Sequence, residues 1–312
     1  MPRAWEQMAA VIDAQTLPKP LRVAILAAHP DDEIVSAGAL LRRLCATTAE
    51  VHVVHVTDGA PRNPAVAHEH GYRSIDAYRR VRQRELRHAL DEAGITPRST
   101  RQLRVPDQQA AHRLVDVTRA IDAFIESCPM DVVLSHPFEG GHPDHDACAF
   151  AVHAAVATRP RDAQPLIVEF TSYHHGPNGI STGVFRADGH VSVEAMLTLG
   201  PDEEAIKRRA RECFVSQAPM LSQCSPTHER YRIAPVYASP AALTRGACFT
   251  STSIGISTAR AGRVLRPTPC GRSDSARTSG YKAEVAASSR QTSSPRRQAH
   301  AESDRARPAS QQ

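Results

Sequence analysis

Along the first 240 residues, short continuous apolar runs alternate with longer stretches whose apolar positions recur every three to four residues. Leu21-Arg-Val-Ala-Ile-Leu-Ala27 has strand length and few polar interruptions, the pattern of a strand buried on both faces. Residues 34–44 repeat apolar positions at helical spacing, and 51–56 predicts a second strand closed by Thr57-Asp58-Gly59. Ser74 predicts the N-cap of a helix running to about Ala93, with Gly94 as its stop. Further strands are expected at 101–105, 131–134 and 166–170, and further helices at 111–126 and 146–157. Beyond Tyr173 the pattern changes: Gly176-Pro-Asn-Gly179 reads as a turn, 184–186 with 190–194 as a short hairpin, and Pro201 as the start of a helix to about Ser216. Strands alternating with helices predict a Rossmann-like α/β fold, a mostly parallel sheet with helices on both faces.

Composition divides the chain. Residues 1–240 carry 26 Lys+Arg against 29 Asp+Glu, whereas 241–312 carry 12 against 4, together with 19 Ser or Thr and no sustained apolar period. The expected organisation is an N-terminal helical extension (1–19), one catalytic-sized domain (20–240) and a basic, disordered Ser/Arg-rich tail (241–312). A solvated extension is favoured over nucleic-acid binding for that tail, because no aromatic or groove-reading pattern accompanies the charge. No secretory signal and no span of membrane length is present, and the seven cysteines include no Cys-x-x-Cys pair. Reduced thiols and a cytoplasmic location are the expectation; a homo-oligomer is left open.

The chemistry concentrates in two motifs, Ala28-His-Pro-Asp-Asp-Glu33 and Gly140-Gly-His-Pro-Asp-His145. His-Pro-Asp occurs twice where composition alone predicts on the order of 0.1 copies. Imidazoles and carboxylates suit zinc or a similar borderline ion, and they move protons near neutral pH. Each motif follows a predicted strand, so both fall on the carboxyl edge of the sheet, where open α/β folds bind ligands. In the common strand order the first and fourth strands are neighbours at the switch point, which would bring the motifs face to face. A metal site with an open position uses about three protein ligands, so at least one carboxylate and one imidazole are left for proton transfer.

With these motifs the chain resembles the LmbE-like, or PIG-L-like, family of zinc-dependent de-N-acetylases, over roughly residues 20–240. Weaker elements of the likeness are Thr57-Asp-Gly59, Arg82-x-x-Glu85, and Lys207 with Ser216-Gln217. The resemblance implies an N-acetylglucosaminyl-type deacetylase acting on a small acetamido-sugar conjugate, with Zn2+ (or Fe2+ or another divalent metal) as cofactor. It makes His29, Asp32 and His145 the metal ligands, and Asp31 the general base on the metal-bound water. His142 becomes the donor to the oxyanion or the departing amine, with Asp144 holding its imidazole and favouring its charged form. Asp58, Arg62 and His174 are candidate substrate contacts, while Arg82 and Glu85 read as a structural ion pair. Two alternatives stay open: an amidase cleaving another C–N bond such as a thiol conjugate, and a non-catalytic metal- or sugar-binding relative. Family members usually continue past a stretch such as Arg232-Ile-Ala-Pro235 with an aromatic-rich closing segment. Here the Arg/Ser-rich tail follows instead, as a shifted reading frame would produce.

Overall fold

The computed structural model describes residues 2–13, 19–187 and 192–237, all within one compact unit. The expected tail at 241–312 and residues 190 and 191 of the expected 190–194 strand lie outside the described residues. In chain order the elements are α1 (Arg3–Ile12), β1 (Arg22–Ala27), α2 (Asp32–Cys45), β2 (Glu50–Pro61), α3 (Pro64–Glu69), α4 (Ile75–Ala93), β3 (Ser99–Asp107), α5 (Leu114–Ser127), β4 (Val132–Ser135), α6 (Pro143–Ala157), β5 (Leu166–Phe170), β6 (Tyr173–Gly176), β7 (Gly179–Thr182), β8 (Glu194–Thr198), α7 (Pro201–Glu212), α8 (Ala218–Leu221) and β9 (His228–Ile233).

Seven strands form one sheet in the order β3-β2-β1-β4-β5-β9-β8. The first five pair in parallel, and β9 and β8 extend the β5 edge in antiparallel fashion. Strand periodicity sorts the core into two layers. Val23 and Ile25 of β1, Val51 and Val53 of β2, and Val132 and Leu134 of β4 pack with α1, α2, α4 and α7 on one face. Ala24 and Leu26, Val54 and Val56, and Val133 pack with α5 and α6 on the other. Because both faces are covered, the central strands are apolar throughout instead of alternating. Burying each such Val or Leu contributes roughly 1.5–3 kcal/mol.

Local signals act where the sequence placed them. The Ser74 side chain accepts from the Ala77 amide at the start of α4, and Gly94 ends that helix at φ 65°, a left-handed value that favours glycine. One expectation is corrected. The short hairpin is β6–β7, turned by residues 176–179, and 184–186 is irregular. The residues before Gly176, Tyr173-His-His, are polar enough to mask their pairing, so the turn was legible and its strands were not. Strands β8 and β9 were missed for a related reason: β8 is a short, half-exposed edge strand, and β9, His-Glu-Arg-Tyr-Arg-Ile, is largely polar although it lies between β5 and β8. The five described cysteines form no disulfide. Among the described residues no helix is long and apolar enough to cross a membrane.

Candidate active site at the carboxyl edge of the sheet

β1 and β4 are neighbours, with Leu26 opposite Ser135, so the loops that follow them emerge side by side. The loop after β1 carries His29, Asp31 and Asp32, and the loop after β4 runs through His136 to His142 and into α6. His29 Nδ1 lies 3.2 Å from His145 Nε2 and 3.4 Å from Asp32 Oδ2. Asp32 Oδ1 lies 3.4 Å from His145 Nε2. The two Asp32 oxygens face different imidazoles, and the sets of one donor atom per residue that lie within 4.8 Å of one another are His29 with His142 and His145, Asp32 with His136 and His145, and His29 with Asp107 and Asp144, so the cluster could hold a cation.

The donor chemistry fits as well. Four nearly buried carboxylates (Asp31, Asp32, Asp107, Asp144) are opposed by one permanent cation, Arg82. Against the cost of burial, hydrogen bonds to Asp107, Asp144 and Asp32 push His29 well above its ordinary pKa. Burial would raise Asp32, but the fields of His145 and His136 hold it well below the usual carboxylate range.

Asp31 sits at the N-cap position of α2, yet its side chain makes no capping bond. It turns instead to Arg82 of α4, whose Nη2 donates to its Oδ2 at 3.0 Å. Burial pushes Asp31 above its ordinary pKa, Arg82 and His29 pull the other way, and Asp32 reinforces the rise. Arg82 itself is 1% exposed, and its Nη1 is 3.8 Å from Glu85 Oε2. Glu85 in turn accepts from the Ser216 amide and hydroxyl at 2.8 and 2.6 Å. The weak Arg82-x-x-Glu85 and Ser216 signals are therefore one buried chain ending on Asp31. Gly59 belongs to the same packing: at φ +66°, a Cβ there would lie 2.8 Å from Arg82 Nε and 2.9 Å from Pro30 Cδ.

His142 is the N-cap of α6, its Nδ1 accepting from the Asp144 amide at 3.1 Å. The Asp144 carboxylate, expected beside that imidazole, turns away to accept from the amides of Gln108 at 2.6 Å and Ala110 at 2.9 Å. Nor is the charged form of His142 favoured: burial first, then the positive fields of His29 and His145, push it down to about 3. His145 is likewise pushed down to about 4, by burial and then by His136.

The candidate substrate contacts fare differently. Asp58 is 2% exposed, and its oxygens are taken by the Ala60 amide at 3.0 Å and Arg79 Nε at 2.5 Å. Arg62 is exposed just beyond β2. His174, on β6, is buried with Nδ1 3.4 Å from Glu139 Oε2. The hairpin closes over the second motif so tightly that a Cβ on Gly141 would lie 1.9 Å from the Tyr173 carbonyl oxygen.

The family described as "PIG-L: GlcNAc-PI de-N-acetylase" matches residues 24–156, from β1 to the end of α6 and so across both motifs. Over that span the chain matches the PIG-L family. Among curated relatives, a probable N-acetyl-alpha-D-glucosaminyl L-malate deacetylase 2 of Bacillus cereus is 29% identical over 147 residues, 46% of this chain and 65% of the relative. A 1D-myo-inositol 2-acetamido-2-deoxy-alpha-D-glucopyranoside deacetylase of Corynebacterium kroppenstedtii is 29% identical over 168 residues, 44% of this chain and 41% of the relative. The matches thus span less than two thirds of either relative. Among solved structures, the zinc inhibited form of teicoplanin deacetylase Orf2 superposes with a TM-score of 0.53 at 18% identity, covering 70% of this chain and all of that one. A triple mutant of the deacetylase of the teicoplanin pathway gives 0.54 at 23% identity, with the same coverage. These likenesses establish a shared fold.

Two residues of the site escaped the sequence reading. His136 is fully buried at the end of β4; its Nε2 accepts from the Ala28 amide at 3.0 Å and lies 3.2 Å from Asp32 Oδ2. Its ring stacks on His145 with centroids 4.0 Å apart. Asp107, at the end of β3, has Oδ1 3.1 Å from His29 Nε2. For His136 and Asp107 one signal was available, since each is polar and sits where a parallel strand ends beside the switch point.

Proposed function

We propose that this PIG-L domain is a metal-dependent hydrolase that removes an N-acetyl, or other short acyl, group from an amino-sugar conjugate. The observation that carries the reading is the cluster of candidate ligands at the sheet's carboxyl edge, where His29 and His145 come within 3.2 Å, each lies 3.4 Å from one oxygen of Asp32, and donor atoms of His29, His142 and His145 and of Asp32, His136 and His145 lie within 4.8 Å of one another. The names of both curated relatives, each describing an acetamido sugar joined to a second moiety, support the substrate class.

His29, Asp32 and His145 would hold the ion, zinc or another borderline divalent cation. When bound, it supplies Lewis acidity that lowers the pKa of water toward ~7 and polarises a carbonyl. Asp31 takes the proton of the attacking water, and Arg82 keeps that carboxylate ionised and aimed. Because His142 Nδ1 accepts a backbone amide, its Nε2 carries the hydrogen, and the neutral ring donates to the oxyanion forming on the amide carbonyl. Asp31 then returns its proton to the departing nitrogen as the C–N bond breaks, so the free amine and the acid leave with protons balanced.

The test measures amine release from a panel of acetamido sugars by metal-replete protein, with and without chelator. Release that the chelator abolishes is expected. Asp31→Asn should lower turnover by orders of magnitude while leaving bound metal nearly unchanged. Equal turnover in that variant would remove Asp31 from the proton-transfer role, and no release from any member of the panel would overturn the reading itself.

A further inference from the structure

The two nitrogens of His29 face different chemistry. Nδ1 points toward Asp32 and His145, whereas Nε2 lies 3.1 Å from Asp107 Oδ1 and 3.4 Å from Asp144 Oδ2. As a neutral ligand the ring would carry a single hydrogen, on one side or the other. If Nδ1 is to offer an electron pair to an ion, the hydrogen belongs on Nε2, and a carboxylate there should accept it.

Asp144 is the poorer acceptor for it. That residue is fully buried, and its two oxygens already receive the backbone amides of Gln108 at 2.6 Å and Ala110 at 2.9 Å. The turn those amides belong to is itself unusual. Gln108 has φ +64°, in the left-handed region that a residue with a Cβ enters at a cost. The paired amide bonds from Asp144 sustain this turn, and the turn carries the adjacent Asp107 back over the His29 ring. Asp107 remains the freer carboxylate, at the shorter distance.

We infer that Asp107 is a positioning residue: it accepts the Nε2 hydrogen of His29, fixing the tautomer whose Nδ1 faces Asp32 and His145, while Asp144 folds the 107–110 turn that presents it. The inference rests on the metal reading proposed above and assigns two carboxylates to holding one ligand in register. Carboxylates behind a metal-bound imidazole typically change affinity 10–100-fold.

The experiment titrates the full-length apoprotein with Zn2+ in competition with a chromophoric chelator, and records the visible spectrum of the Co2+-loaded protein. Wild type, Asp107→Ala and Asp107→Asn are compared, with thermal unfolding of each apoprotein as the folding control. Asp107→Ala should bind Zn2+ 10–100-fold more weakly and show an altered Co2+ spectrum, with apoprotein unfolding unchanged. Asp107→Asn keeps an oxygen acceptor, so it should fall between alanine and wild type. If alanine fails to fold, the asparagine variant carries the test, with its affinity expected below wild type. Wild-type affinity in both variants overturns this inference and leaves the metal reading intact. A second ion per chain that disappears with Asp107 also overturns it, since Asp107 would then be a ligand. An absence of Zn2+ binding by the wild type overturns both.

Discussion

Removing the guanidinium beside Asp31 gives a sharp test of the base role proposed for that carboxylate. In Arg82→Met the side chain keeps much of its bulk against Gly59 and Pro30, but Asp31 loses a charge 3.0 Å away. At an effective dielectric of about 20, a pair at that separation is worth about 5 kcal/mol, and breaking a buried pair typically costs about 3–5 kcal/mol. Part of this appears as lost stability. The rest appears as a harder ionisation of Asp31, already above its ordinary pKa through burial, with Arg82 the foremost influence holding it down. A nearby opposite charge commonly shifts a carboxylate by about 1–3 units. A base must be ionised to accept a proton, so the ascending limb of the kcat/KM profile should move to higher pH by about that much. Arg82→Lys, which retains the charge, should move it less. The assay is amine release from the best acetamido sugar across pH 4–9 (roughly the range of stable carboxylate and imidazole chemistry), at saturating metal. An ascending limb that stays in place in Arg82→Met would refute the argument that Arg82 acts through Asp31.

Two stability predictions accompany it. Gly141→Ala places a methyl 1.9 Å from the Tyr173 carbonyl oxygen, so the β6–β7 hairpin must shift away from the second motif. A loss of roughly 1–3 kcal/mol in chemical denaturation is expected, as for overpacking elsewhere, and an unchanged midpoint would contradict the close approach. Asp146 is pushed up to about 7 from 3.8, by burial first, against the amides of Gly140 and Glu139, with the Glu139 charge adding to the rise. Between those values the folded protein keeps a proton that the unfolded chain has released, so stability falls as pH rises through this window and levels above about 7. At ~1.4 kcal/mol per unit the effect is bounded near 4 kcal/mol. Asp146→Asn, neutral throughout, should therefore gain on the wild type as pH climbs from 4 to 7 in urea titrations, and a difference independent of pH would contradict it.

How much of this was legible follows from what each signal depends on. The α/β alternation was readable because a strand covered on both faces must be apolar along its length, as β1 and β4 are. The two His-Pro-Asp motifs were readable because their residues lie within a few positions of one another and are improbable together. His136 and Asp107 carried no such mark, and Arg82 only a weak one pointing to Glu85: the significance of each comes from a partner far away in the chain. Asp144 shows the same limit from the other side. Its adjacency to His142 suggested a pair, but two residues at the start of a helix point apart, and the carboxylate went to the loop after β3.

Sequence alone therefore determined the fold class, the edge of the sheet where chemistry collects and the ligand types gathered there. Those properties follow from local periodicity and from composition within short segments. Only the tertiary structure decided which nitrogen of His29 faces which carboxylate, that Asp31 meets Arg82 instead of capping α2, and that His142 Nδ1 accepts the Asp144 amide. Such choices depend on angstrom-scale contacts between elements from different parts of the chain, and no spacing along the backbone encodes them.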